Sequence, residues 1–194
     1  ILACKNEEYA PNYTIENYDK ISISSSVGKY IQGSCVIGDY VYYLVASGGN
    51  QNGALVKYNI LTGEKVKESE KISLSDKVDW SAENVGNLAY FNNLIYVTKV
   101  DGTLVTINPD TFAIDMNPTN PFKDIGEAEK ILSMEANKYE QEYMTVIGVG
   151  EKEKYLQFFD RKFERIDNKK INLDDVTGYK FQTTYSNDKY IYAL

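Results

Sequence analysis

The sequence predicts an all-β fold: a β-propeller, incomplete, with about three and a half four-stranded blades in this chain. Three observations carry that prediction. One strand pattern recurs about every 50 residues, the period of a propeller blade. Its strands alternate aromatic and polar residues, the period-2 pattern of a sheet. Tyr, which suits a pleated half-buried surface, accounts for 17 of the 194 residues.

The repeating unit opens with a short apolar strand, at 31–37, 85–91, 131–136 and 181–185. Small residues crowd it: Gly33, Ser34, Gly86, Ala89 and Ser133. Inner strands of blades converge on a central channel, where bulk does not fit. A turn and an aromatic strand follow, as Gly38-Asp39-Tyr40-Val41-Tyr42, Asn92-Asn93-Leu94-Ile95-Tyr96 and Asp188-Lys189-Tyr190-Ile191-Tyr192, with a weaker copy in Gln141-Glu142-Tyr143-Met144. Tyr42, Tyr96, Met144 and Tyr192 are taken as equivalent.

The third strand repeats as Leu55-Val56-Lys57-Tyr58-Asn59, Leu104-Val105-Thr106-Ile107-Asn108 and Leu156-Gln157-Phe158-Phe159-Asp160. Each copy ends in Asn or Asp and enters a turn, because these side chains bond to their own backbone. A polar closing strand is expected at 64–73, 113–117 and 164–172. Four antiparallel strands in meander order make a blade, whereas a β-sandwich does not need the same unit repeated.

The blades therefore span 29–73, 85–123 and 130–173, with a partial one at 179–194. An N-terminal segment, 1–28, precedes them, and its residues 18–24 are expected to form an outer strand. One helical turn is expected at 124–130. Because three and a half blades leave an open sheet edge, the sequence reads as a piece of a longer chain.

Composition removes several function classes. The chain has no His, which excludes imidazole-dependent triads and most catalytic zinc sites. Asp and Glu outnumber scattered Lys and Arg, 28 to 21, for a net charge of −7, so neither nucleic acid nor an anionic membrane surface is expected as a partner. No apolar run approaches the ~18 residues of a membrane-crossing helix. Cys35 lies in an apolar run and reads as a small core residue. Ile1-Leu2-Ala3-Cys4 has the form of a lipobox end, which would put a lipid anchor on Cys4; the other reading is an ordinary strand residue.

Tyr30-Ile31-Gln32-Gly33, Tyr40-Val41-Tyr42 and Leu55-Val56-Lys57-Tyr58-Asn59 resemble the opening blade of helveticin J-like, YVTN-type bacterial β-propellers. Asn87-Leu88-Ala89-Tyr90 with Leu94-Ile95-Tyr96-Val97 looks like the second blade. Tyr179-Lys180-Phe181-Gln182 with Tyr190-Ile191-Tyr192 looks like a later one. The resemblance spans most of 29–194 and implies a secreted or cell-surface protein, with bacteriocin activity in some members. Asn84 stands where the family often has His, and Gly86 where Asn usually follows.

The candidate ligand-binding residues are Gln32, Asn84, Asn87 and Gln182, at equivalent places near inner-strand starts, together with Trp80. The four amides form either a ring for a neutral or sugar-like ligand or a set of bonds to neighbouring backbone. Trp80, with Tyr40, Tyr43 and Tyr90, offers rings on which a sugar can stack. Asp76, Asp79 and Glu83 share a loop without the alternating ligands of a calcium site. Adjacent Asp174 and Asp175 point apart on a strand. The glycine-rich 47–53 segment lacks the following helix that a phosphate cradle needs. No catalytic residue, metal or cofactor is expected. The leading function is a binding module for a cell-wall glycan or a protein; the rivals are a lyase or hydrolase completed by further blades, and a bacteriocin-like component.

Overall fold

The computed structural model describes residues 22–76, 78, 88–99, 103–115, 128–137, 143–150, 154–162, 164–172, 184–186 and 190–193. The described strands form four antiparallel sheets in chain order. Sheet 1 holds β1 (Tyr30–Ile37), β2 (Tyr40–Ala46), β3 (Asn52–Asn59) and β4 (Lys65–Glu68), with β5 (Ile72–Ser73) also paired to β3. Sheet 2 holds β6 (Leu88–Phe91), β7 (Leu94–Thr98), β8 (Leu104–Ile107) and β9 (Ile114–Asp115). Sheet 3 holds β10 (Ala128–Asn137), β11 (Tyr143–Gly150), β12 (Lys154–Phe159) and β13 (Arg165–Asn172), and sheet 4 holds β14 (Thr184–Ser186) and β15 (Ile191–Ala193). The first strands of successive sheets neighbour one another, β1 with β6, β6 with β10 and β10 with β14. Meander sheets touching through their first strands are the blades of a propeller.

The seam between sheets 1 and 2 follows from strand alternation. Tyr42 and Leu44 project from the same side of β2, and Leu55 lies opposite Leu44 on β3. They are buried against Leu88, Ile95 and Val105 of sheet 2. Each such aliphatic side chain contributes roughly 1.5–3 kcal/mol when fully buried. Cys35 packs half-buried against this cluster, and burial pushes its thiol up to about 12, so it behaves as a small core residue.

Polar bonds set the blades' relative height. The turns after β3 and β8 are built alike: the Asn59 Oδ1 accepts from the amides of Leu61 and Thr62, and the Asn108 Oδ1 from those of Asp110 and Thr111. Gly63 and Phe112 take the same left-handed place, at φ 70° and 64°. Phe112 adopts a conformation that suits Gly better, and its ring packs at 6.1 Å from Tyr42 and beneath the Lys67 ammonium. The Tyr42 hydroxyl donates to the Pro109 carbonyl at 3.2 Å, across the seam. At the next seam the carbonyl of Arg161, which the repeat aligns with Pro109, accepts from Asn92 Nδ2 at 2.6 Å. The acceptor position is kept while the donor changes.

The other face of sheet 1 carries Val41, Val45, Val56 and Tyr58, all buried, with Ile23 packed on them. Residues 22–28 cross this face as a strap. Ser24 N–H donates to the Tyr58 hydroxyl at 2.8 Å. The Glu68 carboxylate accepts from Ser25 Oγ, Ser26 N–H and Ser26 Oγ at 2.9, 2.8 and 2.6 Å, and Lys65 Nζ binds its other oxygen at 2.5 Å. Burial alone would raise the Glu68 carboxyl, but the bonds from Lys65, Ser26 and Ser25 outweigh it and hold the group at about 2, below 4.5.

Four expectations change. The strand expected at 18–24 is not one over 22–24, because these residues bond to Tyr58 instead of pairing with a strand; 18–21 lie outside the described residues. The closing strand at 64–73 divides into β4 and β5, since Ser69 turns its Oγ to the Leu55 amide and interrupts the ladder. The helical turn at 124–130 is not present over 128–130, where Ala128 and Lys130 already pair with Gly150 and Val149 in β10–β11. The register also moves the third-blade equivalent of Tyr42. Tyr42 pairs with Lys57 and Tyr96 with Thr106, but the matching Phe158 pairs with Thr145, not Met144.

Two outcomes follow from these contacts. Tyr42→Phe keeps the ring packing and removes the bond to Pro109, so urea unfolding should show a loss of about 1 kcal/mol. Glu68→Gln should be less stable than the parent above pH 4.5. A carboxyl whose folded pKa is depressed contributes stability above its unfolded value and loses it as pH falls through the folded one. The gap, about 1 kcal/mol for a partly exposed group, should close between pH 4.5 and about 2 when the two unfolding free energies are compared.

Candidate functional site

A half-open cavity of about 270 Å³ lies at the seam of sheets 2 and 3, lined by Tyr90, Phe91, Asn92, Asn93 and Arg161. Local sequence explains its shape. Phe91 pairs with Leu94, so only Asn92 and Asn93 form the β6–β7 turn. Both have positive φ, 50° and 61°. Two-residue hairpin turns of the primed kind require this, and Asn tolerates it better than most residues. Two carboxamides are thereby fixed side by side at the cavity rim.

Each rim group has a holder. Asn92 Nδ2 is bound to the Arg161 carbonyl, and Tyr90 reaches Asn93 Oδ1 with its hydroxyl at 3.4 Å. Phe91 is buried and lies with its ring centroid 6.4 Å from that of Tyr96, behind the cavity. Burial raises the Tyr96 phenol, against a bond with Asn92 that lowers it. The site thus offers two amides, a phenol and a guanidinium, with the buried Phe91 behind them. Such groups bind by stacking and hydrogen bonding. Among the described residues no cluster of His, Cys, Asp or Glu is arranged to hold a metal ion. Among the described residues the groups with clearly displaced pKa values, Cys35, Tyr42, Glu68 and Tyr96, do not line the cavity.

Of the residues singled out from sequence, Gln32 is described. Its Nε2 donates to Asn50 Oδ1 at 3.1 Å, joining β1 to the β2–β3 hairpin of its own blade. That hairpin is at the end of the blade opposite the turn that corresponds to Asn92-Asn93. Trp80, Asn84, Asn87, Gln182 and Cys4 lie outside the described residues, as do Asp79, Glu83, Asp174 and Asp175.

The tyrosines grouped with Trp80 separate. Tyr90 lines the cavity. Tyr40 packs beside the seam of sheets 1 and 2 under the Lys57 ammonium, 4.0 Å from its ring. Tyr43 packs with Tyr58 on the opposite face of sheet 1. Asn92, Asn93 and Arg161 were missed in sequence because two read as turn formers and the third lies almost 70 residues away. Gln157 was also missed. It is a buried residue of β12 whose amide donates to the carbonyls of Phe158 and Ile166, both at 3.1 Å.

No family model matches the chain, and no curated protein matches it. Solved structures do. The computationally designed Ika4 protein is similar over 91% of this chain and 92% of its own, with 12% identity and a TM-score of 0.50. BamB from Moraxella catarrhalis is similar over 82% of this chain at 15% identity and a TM-score of 0.45, and the designed Ika8 protein over 84% at 12% and 0.46. The chain spans 39% of the length of BamB and 42% of that of Ika8. The match to Ika4, which extends over nearly the whole of both chains, agrees with the meander sheets: the fold is a β-propeller.

Proposed function

We propose that this chain is a binding module, a propeller that presents a small polar ligand site and carries out no reaction there. The observation that carries the reading is the cavity at the seam of sheets 2 and 3. Its paired amides, phenol and guanidinium suit the rim of hydroxyls of a sugar ring. About 270 Å³ is at the small end of ligand cavities, enough for one ring and not for an extended substrate. Glycoside hydrolysis in its usual form uses a pair of carboxylates, and none is among the described residues that line the cavity.

The ligand class we favour is a cell-wall glycan. It fits the helveticin J-like resemblance of 29–194, the proposed secreted or cell-surface setting and a lipid anchor on Cys4. Among the described residues no helix is long and apolar enough to cross a membrane.

Co-sedimentation of the full-length natural protein with purified cell walls tests the reading. Retention should fall about tenfold for Tyr90→Ala, a change of ~1.4 kcal/mol, and also for Arg161→Ala, which leaves the main-chain carbonyl in place. Retention lost with Trp80→Ala and kept with Tyr90→Ala would move the site to the 75–84 loop. Absence of retention in every form would point to a protein partner. The anchor has its own readout: the exported precursor should carry a lipid mass on Cys4, and an unmodified Cys4 would sink that part.

A further inference from the structure

The cavity between sheets 2 and 3 is not a repeated feature of the blades. The β1–β2 turn holds Gly38 and Asp39, since Ile37 pairs with Tyr40, and the β6–β7 turn holds Asn92 and Asn93 at the same place. Tyr90 pairs with Ile95 as Val36 pairs with Val41. Arg161 follows the strand-ending Asp160 as Pro109 follows Asn108. At these three positions the first seam has a valine, an aspartate and a proline, and the second has a tyrosine, an asparagine and an arginine.

The guanidinium is not what pins the blades. Arg161 does that with its main-chain carbonyl, as Pro109 does without any hydrogen-bonding side chain. The Arg161 residue is exposed and lines the cavity. Its five N–H donors and permanent charge are enough to serve a ligand carboxylate beside a protein partner. The neighbouring amide is set in the same sense. The Tyr90 hydroxyl lies against Asn93 Oδ1, so Nδ2 is the atom of that amide left to donate. The turn's own carboxylate, Asp160, is taken up by the amides of Lys162 and Glu164 at 2.8 and 2.9 Å and is not among the described lining residues.

We propose that the ligand of this cavity is an acidic sugar, a single ring that bears a carboxylate, with Arg161 binding both carboxylate oxygens and Asn93 Nδ2 donating to the ring. The proposal rests on the reading of the cavity as a sugar site and narrows it. The planar fork of an arginine matches a carboxylate, and such charge-assisted bonds are about twice as strong as neutral ones. The net charge of −7 makes the chain as a whole repel anions. An anion is therefore held where a cation is built in, and the corresponding β1–β2 turn of the first seam carries Asp39 instead.

NMR titration of the full chain with D-glucuronate, glucose and acetate tests this. In the parent at low salt, glucuronate should bind about tenfold more tightly than glucose, and the advantage should shrink as salt is raised to about 0.5 M. Arg161→Gln keeps the main-chain carbonyl, and Asn93→Asp keeps a side chain that tolerates the left-handed turn while opposing the ligand's charge. Each should bring the glucuronate-to-glucose ratio down to about one. Equal affinities in the parent, or an advantage that salt does not reduce, would overturn the acidic sugar and leave a site for neutral sugars. A preference for glucuronate that persists in both variants would place the carboxylate elsewhere and overturn the assignment to Arg161. Acetate bound as tightly as glucuronate would make the ring irrelevant and overturn the sugar. Absence of binding by either sugar would overturn the sugar-site reading itself, and this inference with it. Should a variant fail to fold, the salt dependence in the parent still decides.

Discussion

A meander of four strands has two faces and can hide neither by itself. That constraint orders the rest of this molecule. β2 and β3 are buried on both sides, with Leu44 and Leu55 turned to sheet 2 and Val45 and Val56 turned away from it. Every blade must therefore find cover on each face. Sheet 2 covers one face of sheet 1, and the strap covers the other. A strap brings unpaired backbone with it, and unpaired backbone needs polar partners. Tyr58, Glu68 and Lys65 are those partners, and the buried phenol stands where the other blades have Ile107 and Phe159.

Apolar contact holds the blades together but does not fix their sliding, because dispersion and water exclusion have little direction. Direction comes from one carbonyl position in the turn between third and fourth strands. Pro109 and Arg161 each accept a bond from the blade before. Where Tyr42 reaches across directly, its counterpart Tyr96 bonds with Asn92, and Asn92 makes the crossing. The cavity lies among the residues of the two turns that this bond joins. The candidate site thus sits where the second seam is pinned.

The strands and their order were legible because alternation and turn chemistry are local. Asn59, Asn108 and Asp160 end their strands in sequence and in space for one reason, the bonds their side chains accept from the next amides. Register was less legible. Phe158 faces Thr145 instead of Met144, a shift of one residue that the composition of β11 does not reveal. The strap was illegible since Tyr58 looks like any strand aromatic until its hydroxyl is seen beside Ser24. The cavity was illegible for a different reason. Its residues belong to two blades, and no period within one blade brings Arg161 beside Asn92.

The same logic separates Gln32 from the cavity residues as a means of recognition. Gln32 is exposed, but its amide is bonded to Asn50 within one sheet, so its hydrogen-bonding capacity is partly satisfied and it sits at the hairpin end. At the other end, positive φ at Asn92 and Asn93 is imposed by the two-residue turn, not by a ligand. Preorganisation of this kind lowers the entropy lost on binding, because the amides are held before a ligand arrives. An acidic chain without His can use such a site without any ionisable base. Under the proposed binding function, selectivity would come from the spacing of two carboxamides, one phenol and one guanidinium, of which the Asn92 amide is held by its bond to the next blade.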